Sequence, residues 1–154
     1  MLKLGIVVPD LGASELTWRL VSGANRLMDA GEADVVFFVE RPGPHYLEPS
    51  GATMNAAECW GFRGPLIAAS LSGAGKVLNA QAATSRWLFL WDLEWVRRES
   101  PAFRELAAVY RDPRLTLVPR TAWHKGVFEQ CWNRETAEPV GLGEFLADTQ
   151  RFQG

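Results

Sequence analysis

The fold is decided by the first strand–helix–strand pattern, residues 4–39, which read LGIVVPDLGASELTWRLVSGANRLMDAGEADVVFFV. Leu4 to Val8 and Val35 to Val39 are continuous apolar runs rich in β-branched residues, which is typical of strands buried on both faces. Between them, Ser14 is a candidate N-cap, apolar residues recur at helical spacing, and Gly31 is a good helix stop. The stretch therefore predicts a β-α-β unit with parallel strands.

Strands and helices alternate along the rest of the chain. Further strands are predicted at Pro65 to Ala69, Trp87 to Trp91, Leu115 to Val118 and, in a short form, around Val140. Helices are predicted to begin at Thr53, Ser72, Ser100-Pro101 and Thr121, with a last one over Gly143 to Phe152. Residues 41–52 hold three prolines and two glycines, which predicts an irregular excursion. We therefore expect an α/β fold: a Rossmann-like, doubly wound, mostly parallel sheet of five to six strands with helices on both faces.

Length and composition bound the classes of protein. A chain of 154 residues fits one domain over 1–154, and its 47% hydrophobic and 22% charged residues are ordinary for a globular protein. A formal net charge of −2 gives no global basic field for binding nucleic acid. Nucleic acid therefore remains possible only as the acceptor of a transferred group. Cys59 and Cys131 are too few and too far apart for a disulfide framework or a metal site, so we expect two buried, reduced thiols.

The apolar runs are strand-sized, so no membrane helix is predicted. The apolar start of the chain stops at Pro9-Asp10, too soon for the core of a signal peptide. We therefore expect a cytoplasmic protein.

Several phosphate-binding and catalytic motifs are absent from the sequence. Residues 10–14 hold a single glycine, which excludes a dinucleotide fingerprint, and no GxSxG elbow occurs. Residues 71–76 end in Gly-Lys but lack the upstream glycine and the following hydroxyl residue of a phosphate loop. Two interpretations of this stretch remain: phosphate binding at a helix N-terminus, or a small helix packed on the sheet with Lys76 in solvent.

Candidate site residues are those that follow the strands, because ligands of doubly wound sheets bind beyond the carboxyl ends of the strands, near the switch in strand order. Asp92 and Glu94 lie on one side if the strand alternation continues, where they could bind a divalent cation or share a proton. In the alternative, which we favour over a metal, Asp92 accepts from backbone amides and Glu94 pairs with Arg97 or Arg98. The candidate catalytic residues are Asp10, Asp92 and Glu94; the candidate ligand-binding residues are Gly12, Ser70, Ser72, Trp95, Arg120, Thr121 and His124.

Cationic and aromatic residues extend this set. Arg120 next to a helix N-terminus favours an anion, and His124 is either a surface or capping residue or an acid/base group. Trp87, Trp91 and Trp95 lie on one side by alternation, where they fill the core. In the alternative, Trp95 stacks on a sugar or a base.

Six stretches of the chain resemble a known group of proteins. They are residues 4–9 (LGIVVP), 36–40 (VFFVE), 56–61 (AAECWG), 65–71 (PLIAASL), 90–95 (LWDLEW) and 131–134 (CWNR). With these the chain resembles small phage-encoded proteins that are similar to the N-terminal Rossmann-like half of GT-B glycosyltransferases. Such enzymes have two Rossmann-like domains, with the acceptor mainly on the first and the sugar nucleotide mainly on the second. Only the first is matched here, so the resemblance implies a homodimer or a second glycosyltransferase subunit as partner.

Two functions follow from these observations. In the first, a glycosyltransferase-like protein handles a nucleotide sugar or its acceptor, with Asp10, Asp92 or Glu94 as the base and Arg120 stabilising the diphosphate. In the second, the chain is a non-catalytic Rossmann-like module that binds a nucleotide or a protein partner. No cofactor is predicted, and a divalent cation is possible but not favoured.

Overall fold

The computed structural model describes residues 1–97 and 101–154. In them, six parallel strands form one sheet: β1 (Leu2–Val8), β2 (Ala33–Val39), β3 (Ala52–Asn55), β4 (Pro65–Ala68), β5 (Ser85–Leu90) and β6 (Thr116–Pro119). The α-helices are α1 (Glu15–Asp29), α2 (Leu71–Asn79), α3 (Phe103–Tyr110), α4 (Ala122–Trp132) and α5 (Leu142–Ala147). Short 3-10 helices span Ala56–Gly61, Glu94–Val96 and Thr149–Phe152. Within the described ranges, no helix is both long and apolar enough to cross a membrane.

The sheet has the spatial order β3-β2-β1-β4-β5-β6. The chain winds outward from β1 through β2 to β3, returns to β4 on the other side of β1, and continues outward through β5 to β6. The strand order therefore switches between β1 and β4, where Ile6 pairs with Ile67. This confirms the predicted Rossmann-like, doubly wound α/β fold, with a sheet that is parallel throughout the described strands.

Each face of the sheet carries its own apolar core, as expected from strands without polar alternation. On one face, Ile6 and Phe37 pack with residues of α1 and α5. On the other, Val7 and Phe38 pack with residues of α2, α3 and α4. Helices thus cover both faces, and the carboxyl ends of the strands remain as the accessible edge of the sheet.

Two predicted helix starts are wrong. Thr53 does not cap a helix but lies in β3, and the short 3-10 helix after it is capped by Asn55, whose side chain accepts from the Ala57 amide. The sequence does not predict this strand, because all four of its residues are exposed and no apolar run marks it. Helix α2 is capped by Ser70 rather than Ser72 and ends at Asn79.

The expectations for the second half of the chain are met in part. Thr121 caps α4 as predicted, whereas Ser100, proposed as the cap of α3, lies outside the described residues. Val140 does not form a strand: its amide donates to the Pro119 carbonyl, so its segment runs along the outer edge of β6. Cys59 is buried as expected, but Cys131 is exposed, because it lies on the solvent side of α4.

Candidate functional site

A cleft of about 260 Å³ lies at the switch point, beyond the carboxyl ends of β1 and β4. Its walls come from the loops after four strands and from the first turns of α1 and α2, as the general rule for doubly wound sheets predicts. The lining residues are Pro9, Leu16, Arg41, Ala69, Ser70, Ser72, Trp91, Asp92, Glu94 and Arg97. Two arginines, two carboxylates and two hydroxyl groups thus face one small cleft.

The N-terminus of α2 is closed by two side chains. The Ser70 hydroxyl accepts a hydrogen bond from the Gly73 amide at 3.1 Å, and Glu94 Oε2 accepts one from the Leu71 amide at 2.6 Å. The chain therefore supplies its own anion at the place where the helix dipole favours one. Of the two interpretations of residues 71–76, phosphate binding would require Glu94 to be displaced.

Burial changes the acidity of Glu94, one of the three candidate carboxyls. Desolvation raises the pKa of Glu94, while the bond from the Leu71 amide and the positive charge of Arg97 oppose that rise. A carboxyl group with a raised pKa can take up a proton near the pH of a reaction. Glu94 thus lies in the cleft and has a raised pKa, a combination that is typical of general bases.

The other two candidate carboxylates are held by arginines. Asp92 pairs with Arg97, and Asp10 Oδ2 accepts from Arg41 at 2.9 Å. The pKa of Asp10 is lowered, first by the hydrogen bond from Arg41 and then by the bond from the Gly12 amide, 2.9 Å from Asp10 Oδ1. The favoured alternative for Asp92 and Glu94 is therefore reversed: Glu94 binds the backbone amide and Asp92 pairs with the arginine. Arg98, the other proposed partner of Glu94, lies outside the described residues.

Arg120 stacks on the ring of Trp91, with its guanidinium carbon 4.2 Å from the ring centroid. Within the described residues, its Nε is buried and has no hydrogen-bond partner. Arg120 does not line the cleft itself but lies behind Trp91, which does.

His124 is buried in the first turn of α4 rather than lying on the surface. Its Nδ1 lies 2.6 Å from Thr121 Oγ1, which also accepts from the His124 amide at 3.1 Å. Desolvation lowers the pKa of His124, the charge of Arg120 lowers it further, and the Asp92 charge opposes them. The imidazole is therefore neutral at pH 7 and belongs to the cap of α4.

The predicted common side for the three strand-associated tryptophans is wrong. Trp87 and Trp91 pack on the face of α1 and α5. Trp95 instead packs on the opposite face, with its ring centroid 4.7 Å from that of Phe128 and 5.4 Å from that of Trp132. Strand β5 ends at Leu90, so strand alternation does not extend as far as Trp95. The Trp95 ring is thus occupied by packing contacts.

The structure brings only part of the predicted set together. Ser70, Ser72, Asp92 and Glu94 line the cleft, and Asp10 reaches it through Arg41. The lining does not include Gly12, Trp95, Arg120, Thr121 or His124. Among the described residues, no group of three or more His, Cys, Asp and Glu side chains could hold a metal ion.

Sequence reasoning gave too little weight to Arg41 and Arg97. Arg41 lies two residues after the end of β2, so the topology places it at the carboxyl edge of the sheet. Arg97 was considered only as a partner of Glu94, because its approach to the cleft depends on the 3-10 turn at Glu94–Val96. That turn is too short to leave a periodic signal in the sequence.

Comparisons with known proteins add no relative: no protein-family model matches the chain, and neither a curated protein nor a solved structure gives a match. The geometry of the cleft therefore carries the functional argument.

Proposed function

We propose that this chain is a glycosyltransferase-like domain that binds a nucleotide sugar or its acceptor in the switch-point cleft. The observation that carries the proposal is the convergence of Arg41, Arg97, Asp92 and Glu94 on one cleft beyond β1 and β4. Arginines bind the oxygens of a diphosphate, and carboxylates accept hydrogen bonds from sugar hydroxyls. A Rossmann-like domain presents such groups where its strand order switches.

The two ion pairs provide the binding groups for the charged part of the ligand. Arg41 and Arg97 are largely exposed and paired with Asp10 and Asp92. Exposed ion pairs contribute little to folding, so exchange of the carboxylate for a diphosphate costs the protein little stability. A ligand that pairs with Arg97 would leave Asp92 free to accept from a hydroxyl group of the sugar.

Glu94 is the best placed general base of the three candidates. In the proposed reaction it takes the proton of the acceptor hydroxyl, whose oxygen forms a bond to the anomeric carbon of the sugar. The bond between that carbon and the diphosphate oxygen breaks, and the nucleoside diphosphate leaves with its charge beside Arg97 or Arg41. Asp10 and Asp92 are weaker candidates, because their carboxylate oxygens already accept hydrogen bonds from Arg41 and Arg97.

A partner that closes the cleft belongs to this proposal. At about 260 Å³, the cleft is below the usual size of pockets that enclose a small ligand. A second Rossmann-like unit, from another copy or another subunit, would supply the opposite wall and exclude water from the reacting groups.

One observation favours a second candidate, a non-catalytic module that binds a nucleotide. All three candidate carboxylates are already engaged, Asp10 and Asp92 with arginines and Glu94 with the Leu71 amide. Catalysis requires Glu94 to keep or leave that amide while it faces a hydroxyl group, whereas binding requires only that the arginines change partners.

The experiment is a thermal-shift titration with UDP-, GDP- and dTDP-sugars and the free nucleotides, with and without Mg²⁺, followed by assays for transfer. A ligand at about 100 times its dissociation constant stabilises a protein by about 2.7 kcal/mol, which raises the Tm by several degrees. We expect this shift in the wild type and its loss in Arg97→Met. Glu94→Gln should keep the shift and lose the transfer reaction.

The matched control is Asp148→Asn. Asp148 is 49% exposed and paired with Arg151, much as Asp92 is 44% exposed and paired with Arg97, but it does not line the cleft. The control should bind like the wild type, and Asp92→Asn should not. Binding without transfer by any acceptor would favour the non-catalytic module. No shift with any nucleotide would refute both the nucleotide-binding module and a transferase that binds its nucleotide sugar without a partner.

A further inference from the structure

A second groove, of about 500 Å³, lies beside the N-terminus of α1 and is separate from the switch-point cleft. Its lining consists of Ala13, Ser14, Glu15, Trp18 and Tyr46. Trp18 is 50% exposed and Tyr46 is 56% exposed, although large aromatic side chains are usually covered. Two aromatic rings thus border one groove with much of their surface open to solvent.

The loop that carries Tyr46 is fastened to the body of the protein. The Tyr46 amide donates to the Leu11 carbonyl at 2.8 Å. Asn25, on α1, donates to the Glu48 carbonyl at 3.0 Å and accepts from the Ser50 amide at 2.7 Å. The Pro-rich excursion between β2 and β3 is therefore held against α1.

Glycine at position 51 completes this attachment. A Cβ atom there would collide with the Val35 carbonyl oxygen and lie 2.8 Å from the sulfur of Met28. Only glycine lets the loop return this closely to β2 and α1. The fixed loop backbone places Tyr46 at the same groove as Trp18, which lowers the entropic cost of ordering the loop on binding.

The polar groups of the groove indicate an uncharged, hydroxyl-rich ligand. Glu15 Oε1 accepts from Arg19 at 3.0 Å, which leaves Oε2 to accept from hydroxyl groups. Among the described residues, the lining contains one carboxylate and no arginine or lysine, and the neighbouring Arg19 is already paired with that carboxylate.

We infer that this groove binds a sugar ring of a carbohydrate, with the apolar C–H face of the ring against Trp18 or Tyr46 and a hydroxyl group donating to Glu15. The rings supply the apolar contact area and Glu15 the orientation. Binding here needs none of the residues of the switch-point cleft. Only its role as the acceptor side of a transfer reaction rests on the proposed function.

The test is a ligand titration of the folded chain in which the indole N–H signals are monitored by ¹H–¹⁵N NMR. The probes are the methyl glycosides of glucose, galactose, mannose and N-acetylglucosamine at millimolar concentrations, with adenosine and uridine for comparison. We expect at least one glycoside to shift the Trp18 signal and to leave that of Trp123 unchanged. Trp123 is the matched control, because it is 62% exposed and lies in the first turn of α4.

Variants separate the groove from the cleft. Trp18→Ala and Tyr46→Ala should weaken binding of that glycoside about tenfold, a loss of about 1.4 kcal/mol. Trp18→Tyr, which keeps an aromatic ring, should retain most of it, and Trp123→Ala all of it. Arg97→Met should bind the glycoside normally while losing the nucleotide, so the two proposals can fail independently.

Two outcomes would overturn the inference. In one, the Trp18 signal does not move with any of the four glycosides. In the other, it moves with the nucleosides alone, which would identify a base-binding groove instead.

Discussion

The two edges of the sheet use arginine for opposite purposes. At the amino edge, where helices end, arginines donate to backbone carbonyls: Arg86 to Ala80, Arg111 to Trp132 and Arg134 to Tyr110. At the carboxyl edge, where helices begin, Arg41 and Arg97 donate to the carboxylates of Asp10 and Asp92. The first set binds atoms that cannot move away, and the second binds side chains that can.

Helix polarity explains the division. The last carbonyls of a helix have no partner within it and carry the negative end of the dipole, so cations at the amino edge of the sheet stabilise the fold. Helix starts need acceptors instead, and Ser14, Ser70, Thr121 and Glu94 provide them. Arginines at the carboxyl edge are therefore not needed by the helices, which leaves them available to a ligand.

The largest effect on stability is expected from Arg134→Met at the amino edge. Arg134 donates to the carbonyls of Tyr110 at 3.0 Å, Asp112 at 2.7 Å and Leu115. Loss of these charge-assisted bonds should lower the free energy of unfolding by about 3 kcal/mol. Thermal unfolding should show this as a Tm lower by about 8 °C.

Arg63→Met is the control for the loss of a surface charge, since Arg63 is exposed. It should unfold like the wild type. Equal destabilisation by both substitutions would show that Arg134 contributes charge rather than its specific bonds. Nucleotide binding by Arg134→Met, measured below its Tm, should stay at the wild-type level.

The apolar strands made the fold predictable from the sequence, since β1, β2 and β4 are marked by runs such as Val35 to Val39 that only a sheet buried on both faces accommodates. The edge strand β3 left no such mark, because its side chains are all exposed. The segment of Val140 runs alongside β6 without forming a strand. The apolar character of Val140 alone does not distinguish a strand from an irregular segment that packs beside one.

The sequence predicts where the candidate site lies in the fold, but not which of its side chains bind each other. Asp92, Glu94, Ser70 and Arg41 follow strands, so their place at the carboxyl edge comes from topology. Which carboxylate meets which donor depends on side-chain angles within a three-residue 3-10 turn, and sequence spacing does not encode those. The groove of Trp18 and Tyr46 was not predicted for a related reason: an irregular loop brings these two residues together although they are distant in sequence.

Ser70→Ala tests the capping of α2 at the carboxyl edge of the sheet. Removal of the hydroxyl leaves the Gly73 amide without its cap, which should cost about 1 kcal/mol. Ser72→Ala is the control, because the Ser72 hydroxyl contacts only that of Ser70, at 3.4 Å, within the described residues. Chemical denaturation should show a lower midpoint for Ser70→Ala alone. Equal midpoints would mean that Glu94 suffices to cap α2.

Glu94→Gln should alter how the free energy of unfolding depends on pH more than it alters the magnitude of that free energy. Burial raises the pKa of Glu94 above 4.5, so between 4.5 and the raised value the folded state binds more protons than the unfolded state. The stability of the wild type therefore decreases as the pH rises through that window, and the glutamine variant lacks this decrease. Unfolding curves from pH 4 to 7 should shift in favour of the variant.

Asp10→Asn is the control of opposite sign. The hydrogen bond from Arg41 lowers the pKa of Asp10 below 3.8, so Asp10 stabilises the fold above pH 3.8 and loses that effect as the pH falls through its folded value. The difference between this variant and the wild type should shrink in acid. Parallel profiles for the two variants would contradict the opposite environments of Glu94 and Asp10.

The smallest effect on stability is expected from Arg97→Met, which changes the unfolding free energy by about 0.5 kcal/mol or less because the ion pair with Asp92 is exposed. A double-mutant cycle with Asp92→Asn should give a coupling energy of the same size that disappears at high salt. A coupling well above 1 kcal/mol would mean that this pair is structural, like the contacts of Arg134. The division between the two edges requires the contrary. Arg97 should contribute little to the free energy of unfolding, and its loss should abolish nucleotide binding.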